Sequence, residues 1–490
     1  MGDGAATLAV AATALVFGPL LVALIVFVVP WPALRERLAL LVSIALLGAL
    51  GTLSSELMTG GAARLALGAR AAPLGIELAL DGLSLAMLWM TALVALAVNA
   101  WAADWLRGAA NASQRGFGVI WPVLWSALNA LFLAADLFNV YVTLEIVTLA
   151  AVALVVLTRG RAALQAAMRY LVFALAGSIL YLLGVALVYA ASGVLTFALL
   201  PAALPPSPAA SLALLVITAG LAMKAALFPV HGWLPAAHAA APSPASAVLS
   251  ALVVKAGAYL ILRLWLGPFD ALWSQALAQG MGAVGAAGIV YGSVQALRQQ
   301  HIKRVIAYST VAQLGYLPLL LPLASIAAWQ GTVYHALNHG LAKAALFLAA
   351  GNLLHMHGDG RVHALRIADR QGALNVAAIA IAGVSLAGLP PSGGFVAKWW
   401  LLEAAFATGQ WWWAIVIVAG GLLAAAYMVR LLHPALGHGA PHADATAHAS
   451  AGALMLWAPF ALAMLTLVLG SCGNWLAPYI AIGAPLPGHG

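Results

Sequence analysis

Apolar runs long enough to cross the roughly 30 Å hydrocarbon core of a bilayer, each needing roughly 20 residues, recur along the whole of this 490-residue chain. Fourteen are present, at about residues 5–29, 37–57, 78–103, 117–134, 136–158, 166–192, 209–229, 245–266, 273–297, 304–322, 327–354, 374–401, 411–433 and 452–478. In lipid each segment must satisfy its own backbone amides, which makes the helix the spanning element for uninterrupted apolar runs. The fold class is therefore all-α and polytopic, a single membrane domain over residues 1–490. A composition of 64% hydrophobic and 7% charged residues excludes an ordinary soluble domain. The first run is preceded by Asp3 and by no Lys or Arg, so it lacks the basic segment of a secretory signal and is expected to persist as the first helix.

The net charge of +8 has a topological explanation that needs no nucleic acid. With the N-terminus outside, one set of loops collects fourteen Lys and Arg, from Arg35 through Arg107, Lys303 and Arg366 to Arg430; the other set holds Arg64, Arg70 and Arg263. That bias places the basic loops in the cytoplasm of a cell (inner) membrane protein and both termini on the outer side. Cys472 is the only cysteine, which excludes an intrachain disulfide, a Cys-ligated iron–sulfur cluster and a Cys-based zinc site. No cofactor and no catalytic redox centre are expected in this chain.

Four of the five lysines, Lys224, Lys255, Lys343 and Lys398, fall inside the apolar runs. At roughly 2.5–3.5 kcal/mol each, four unpaired lysines at helix centres would cost on the order of 10–14 kcal/mol, so such residues commonly mark an ion path. Snorkelling to an interface is the alternative for Lys255 and Lys343. Burial disfavours an ammonium and a nearby carboxylate restores it, so moving the carboxylate decides whether a lysine holds its proton. Glu145, about one third into the fifth run, is the candidate carboxylate for Lys224. Asp136 lies nearer the end of that run and reads as interfacial, and Asp81 reads as a helix N-terminal residue favoured by the dipole.

In "YHALNHGLAKAALFLAAG", His335, His339 and Lys343 recur every four residues and share one helical stripe, which favours a proton relay over a lone core histidine. A metal held by the His pair is disfavoured, because no acid or cysteine lies nearby in sequence. Pro229 and Pro235 interrupt the seventh run and its exit, and Pro390, Pro391, Gly393 and Gly394 interrupt the twelfth just before Lys398. Broken helices in corresponding places of two halves point to inverted repeats, here residues 117–266 and 273–433, flanked by helices within 1–103 and 452–478.

The segments "DLFNVYVTLEIV", "MKAALFPVHGWLPAAHAAAPSPASAVLSALVVKAG", "KRVIAYSTVAQLGY", "HALNHGLAKAALFLAAG" and "GLPPSGGFVAKWW" together resemble the proton-conducting, antiporter-like membrane subunits shared by respiratory complex I, Mrp antiporters and membrane-bound hydrogenases. The resemblance runs from about residue 78 to 430 and is most similar in length and in "DLFN" to the Mrp D subunit. It implies fourteen helices with inverted repeats and broken helices 7 and 12. It also implies a relay in which Glu145 pairs with Lys224, Lys255 passes the proton inward, His335 and His339 are central, and Lys398 hands it to the exit. His238 matches a family histidine, whereas Ala236 and Ala240 stand where complex I members often carry acids.

Two loops are rich in histidine. "HMHGDGRVH" carries His355, His357, Asp359 and His363 and reads as a solvated loop, and His433, His438, His442 and His448 are spread through a Gly/Ala-rich stretch. Trp399, Trp400 and Trp411 to Trp413 suit interfacial belts or helix packing. The expected function is a proton-translocating subunit of a multi-subunit membrane complex, with sodium/proton exchange open. Its partners are other membrane subunits of an antiporter or respiratory-type complex. The alternatives are the pump arm of an NADH-quinone oxidoreductase or group 4 hydrogenase, and a self-sufficient transporter.

Overall fold

The computed structural model describes residues 3–29, 32–67, 70, 72, 75–106, 112–365, 367, 369–436 and 450–485. Arg107, Arg366, His438, His442 and His448 lie outside the described residues.

The apolar runs become helices that follow one another with short turns. The first six transits are α1 (Asp3–Val28), α2 (Pro32–Gly60), α3 (Gly82–Trp105), α4 (Ala112–Leu133), α5 (Leu137–Val156) and α6 (Arg161–Ser192). Between α2 and α3 the chain makes a small antiparallel hairpin, β1 (Ala63–Ala66) with β2 (Glu77–Leu80), in which Ala63 pairs with Leu80. Apolar periodicity gave no hint of this hairpin, whose strands are four residues each. A short α7 (Leu200–Ala203) precedes the seventh transit, which is split into α8 (Pro208–Lys224) and α9 (Leu234–Ala240). The eighth is α10 (Ser243–Val248), a π-helical turn over Leu249–Val253, and α11 (Val254–Leu266). Then come α12 (Gln275–Arg298), α13 (Ile302–Leu314) with a short α14 (Leu320–Leu323), and α15 (Ile326–His357). The twelfth transit is split into α16 (Arg370–Ala387) and α17 (Gly393–Ala407), followed by α18 (Trp411–Leu432) and α19 (Ala453–Ala481).

Among the described residues, 12 helices are long and apolar enough to cross a membrane, which makes this a multi-pass membrane protein. The two remaining transits fall short for physical reasons. α8 stops after 17 residues at a break, and α15, 32 residues long, carries Asn338, Asn352 and the His/Lys stripe along its length.

Local chemistry sets where the helices begin and end. Asp81 caps α3 in a reciprocal box with Ser84, Oδ1 accepting from Ser84 N–H at 2.9 Å and Ser84 Oγ accepting from Asp81 N–H at 2.9 Å. Asp136 caps α5 through the N–H groups of Phe138 and Asn139. Ser207, Ser274, Ser325, Asp369 and Ser392 cap α8, α12, α15, α16 and α17 in the same way. Gly388, at φ 79°, closes α16 in the left-handed conformation that glycine adopts without strain.

α15 runs through the middle of the bundle, packed against α3, α10, α16, α17 and α19, and is buried along most of its length. Buried polar contacts tie the layers around it. Trp101 on α3 donates to Asn352 Oδ1 at 2.8 Å, and Asn352 in turn donates to Asn375 on α16 at 2.8 Å. In this setting such bonds anchor helix to helix, since lipid offers no alternative partner. At the α8 to α9 break Ala225, Ala226 and Leu227 are buried, whereas at the α16 to α17 break Leu389, Pro390 and Pro391 are exposed.

Candidate functional site

The first part of the site forms where α8 ends. Its helix stops at Lys224, not in mid-span as the apolar run implied: Ala225 is the last capped position, Ala226 takes φ 51°, and Pro229 has no N–H to continue the ladder. The Met223 carbonyl freed by the break accepts from the Trp233 indole at 2.9 Å. Lys224 therefore sits at a helix C-terminus, where a cation is favoured. Its Nζ lies 2.8 Å from Glu145 Oε1 and 2.8 Å from Thr148 Oγ1, both on α5. Ser178 on α6 donates to the same carboxylate oxygen. Lys224 is 5% exposed and Glu145 is 20% exposed, so the carboxylate is the more accessible partner.

Helix α11 packs against this end of α8. Gly257 permits the approach, since a Cβ there would lie 2.7 Å from the Leu221 carbonyl oxygen. On the same helix Lys255 is 1% exposed and donates to Ser250 O at 2.5 Å within the π-helical turn. It does not snorkel, and nor does Lys343, which is fully buried.

Lys343 on α15 reaches α13, donating to Ile306 O at 3.0 Å and to Ser309 Oγ. The neighbouring Thr310 donates to Ile306 O at 3.0 Å and shares a 2.8 Å hydrogen bond with Ser250 Oγ. Lys255 and Lys343 are thus held at the two ends of one polar strap made of Ser250, Thr310, Ser309 and the Ile306 carbonyl. His238 on α9 is fully buried, stacks on Phe347, and lies within electrostatic reach of Lys255, Lys303 and Lys343.

One turn apart on α15, the His335 and His339 rings stack at 5.7 Å. His335 Nε2 lies 3.0 Å from Gln313 O. A carbonyl only accepts, so Nε2 carries the hydrogen and Nδ1 of a neutral ring is the open acceptor. Neither nitrogen of His339 or of His238 has a protein hydrogen-bond partner among the described residues. Buried polar atoms of this kind are the usual anchoring points of internal water.

The last lysine sits at the second break. Lys398 on α17 reaches back across it to the C-terminal carbonyls of α16, donating to Leu386 O at 2.9 Å and Ala387 O at 3.0 Å. The Tyr316 ring lies 4.8 Å from Nζ and 5.0 Å from the His335 ring, so it stands between the two. Gln313 Nε2 also donates to Leu386 O, at 3.3 Å.

Sequence reasoning missed Ser250, Ser309, Thr310, Gln313 and Tyr316. Four of them lie in "YSTVAQLGY", whose polar residues fall at 309, 310 and 313 and mark a polar face in an apolar run. The residues singled out as peripheral lie apart from this row: Asp136 is a helix cap, and His355, Asp359, His363 and His433 are exposed. Trp399, Trp411 and Trp412 are exposed on the bundle surface, while Trp413 is buried. Lys303, counted with the loops, lies in the first turn of α13 and donates to Ala241 O at 2.7 Å. Arg263, also counted with the loops, is in the last turn of α11 and forms a bidentate pair with Asp81 at 2.8 Å per bond.

The profile of the NADH:quinone oxidoreductase/Mrp antiporter transmembrane family matches residues 134–424, which include every residue of the row from Glu145 to Lys398. The N subunit of NADH-quinone oxidoreductase from Desulforudis audaxviator is 37% identical over 76% of this chain and 75% of its own length. The D subunit of the Na(+)/H(+) antiporter from Bacillus subtilis is 29% identical over 88% of this chain and 87% of its own. Among solved structures, a chain of the Mrp complex from Dietzia sp. superposes with a TM-score of 0.86 at 26% identity, covering 100% of this chain and 98% of that one. The chain belongs to the NADH:quinone oxidoreductase/Mrp antiporter transmembrane family.

Proposed function

We propose that this chain is a proton-translocating subunit of a multi-subunit membrane complex, working through the row Glu145, Lys224, Lys255, His335/His339 with Lys343, and Lys398. The observation that carries the reading is the distribution of countercharge. Lys224 has a carboxylate at 2.8 Å, whereas the side chains of Lys255, Lys343 and Lys398 donate to carbonyls and hydroxyls. In a low-dielectric interior, a row with one carboxylate cannot hold every basic group charged at once. Separating Glu145 from Lys224 therefore changes which group holds a proton, and the change is felt along the row.

Water joins the segments in this reading, because the lysines and histidines are not directly hydrogen-bonded to one another. Proton uptake begins at Glu145 and Lys224, passes Lys255 and the α15 stripe, and leaves past Lys398. The work has to come from partners that bias two states of the chain, other membrane subunits of an antiporter or respiratory-type complex. Residues 117–266 and 273–433 form the two inverted units in this reading, supported by a break in the fourth transit of each. The basic loops face the cytoplasm of the cell (inner) membrane and both termini lie outside.

The test uses the assembled complex in proteoliposomes. Lys224→Arg keeps a cation beside Glu145 but cannot release its proton, so driven proton translocation is lost while the complex still assembles. Intact transport in Lys224→Arg or Lys224→Ala would sink the proposal. Similarity to both a quinone oxidoreductase subunit and an antiporter subunit leaves the pump arm of a redox enzyme as the second reading. The co-purifying subunits separate them: small hydrophobic partners without redox centres mark an antiporter, and iron–sulfur or nickel subunits mark a redox pump.

A further inference from the structure

The Asp81–Arg263 pair belongs to no step of the relay, yet it stands at the end of a stripe that starts inside it. Lys255, Tyr259 and Arg263 are spaced by four on α11, so they line one face and span about 12 Å along the axis. Tyr259 donates to Phe132 O at 2.7 Å, and the Arg263 guanidinium lies 4.9 Å from the Tyr259 ring centroid. Beyond Arg263 opens a cavity of about 700 Å³ at the hairpin end of the bundle. Ala63 and Arg64 of β1, Asp81, Asp270 and Trp329 line it together with Arg263. Under the proposed orientation this end faces outward.

Arg263 and Asp81 are 11% and 15% exposed, and each guanidinium N–H of the fork meets a separate carboxylate oxygen. Such a bidentate pair fixes the position of the cation. A guanidinium is always charged, so it cannot accept a proton and pass it on. Set between this cavity, lined by Arg64, Asp81 and Asp270, and a buried lysine, a fixed positive charge repels hydronium and metal cations, as it does in selective pores.

We propose that Arg263 is the electrostatic seal that closes the Lys255 segment of the relay to the outer cavity, and that Asp81 is the residue that positions it. The seal depends on the positive charge and not on the ion pair as such. Removing Arg263 does more than open a gap, because the Asp81 carboxylate, still capping α3 through Ser84 N–H, then has no cation beside it and can itself take up a proton between the cavity and Tyr259. The seal thereby becomes a relay. Asp81→Asn removes the negative charge but keeps an amide oxygen that still accepts from the guanidinium, so the cation and its barrier stay in place.

The inference rests on the proposed relay for the identity of Lys255 as the inner group, and its test reads a different quantity, passive leak in place of driven transport. Assembled complex in proteoliposomes is given a pH gradient with no driving reaction, and its decay is followed with an entrapped pH-sensitive dye. Arg263→Gln is expected to speed the decay by on the order of tenfold, the factor that a unit charge about 10 Å away produces at an effective dielectric near 20. Asp81→Asn is expected to stay within about twofold of the unmodified complex, since it retains the guanidinium and its charge. Lys255→Leu added to Arg263→Gln removes the leak.

A tight Arg263→Gln complex would overturn the seal, and so would an Asp81→Asn complex that leaks as fast, because both losses would then act by loosening the fold. Should Arg263→Gln fail to assemble, the doubly neutral Asp81→Asn/Arg263→Gln complex decides, with a leak expected and its absence overturning the proposal.

Discussion

Lys224 Nζ and Glu145 Oε1 lie 2.8 Å apart, and the carboxylate is the more exposed of the two. A group approaching the α5 and α6 face from outside the chain therefore meets Glu145 before it meets the lysine. Glu145→Gln keeps the shape and the Ser178 contact while removing the charge. Driven transport in the assembled complex is expected to fall about a hundredfold, the usual cost of losing a positioned proton-transfer group. Transport that survives at more than half the original rate would remove Glu145 from the row.

The strap between Lys255 and Lys343 predicts a graded effect at Thr310. Thr310→Val deletes the 2.8 Å bond to Ser250 and the bond to Ile306 O without changing volume. It should cost about 1 kcal/mol of stability and slow transport, and Thr310→Ser should restore both. Thermal denaturation and proton uptake measured on the same preparation separate the two effects.

His339 offers the opposite combination. With no protein hydrogen bond at either nitrogen among the described residues, His339→Leu breaks no such contact and replaces a buried polar ring by an apolar side chain. The complex should be at least as heat-stable as before while proton translocation is abolished. A clear drop in thermal stability would mean that the ring has a structural partner the transport reading does not include.

Tyr316 stands between His335 and Lys398 and presents its π face to the ammonium. Tyr316→Phe retains that face and should leave transport nearly unchanged, losing the 3.3 Å bond to Ile417 O. Tyr316→Leu removes it, at about 0.5–2 kcal/mol for a cation–π contact, and should slow release at Lys398. Equal effects of the two substitutions would assign the residue's role to its hydroxyl.

Features that are local along the chain were legible before any fold was known. Fourteen transits follow from apolar length, the breaks from Pro229, Pro390 and Pro391, and the start of α3 from Asp81, whereas Asp136 read only as interfacial and proved to be the cap of α5. The anomalous lysines were legible too, because a charge in an apolar run is conspicuous without knowing what surrounds it. The Glu145 and Lys224 pairing was legible from the two charges in apolar runs and implied again by the family resemblance, but neither pointed to Thr148 and Ser178 around it.

Which groups meet is a property of the packed bundle. Lys343 finds Ser309 across 34 residues, Lys224 finds Glu145 across 79, and Arg263 finds Asp81 across 182. Helix spacing and hydropathy carry no information about such partners, since they arise from which helix faces pack together and how far each break displaces its neighbours. That is why Arg263 reads as one more loop arginine in the sequence and becomes a buried, paired cation in the fold.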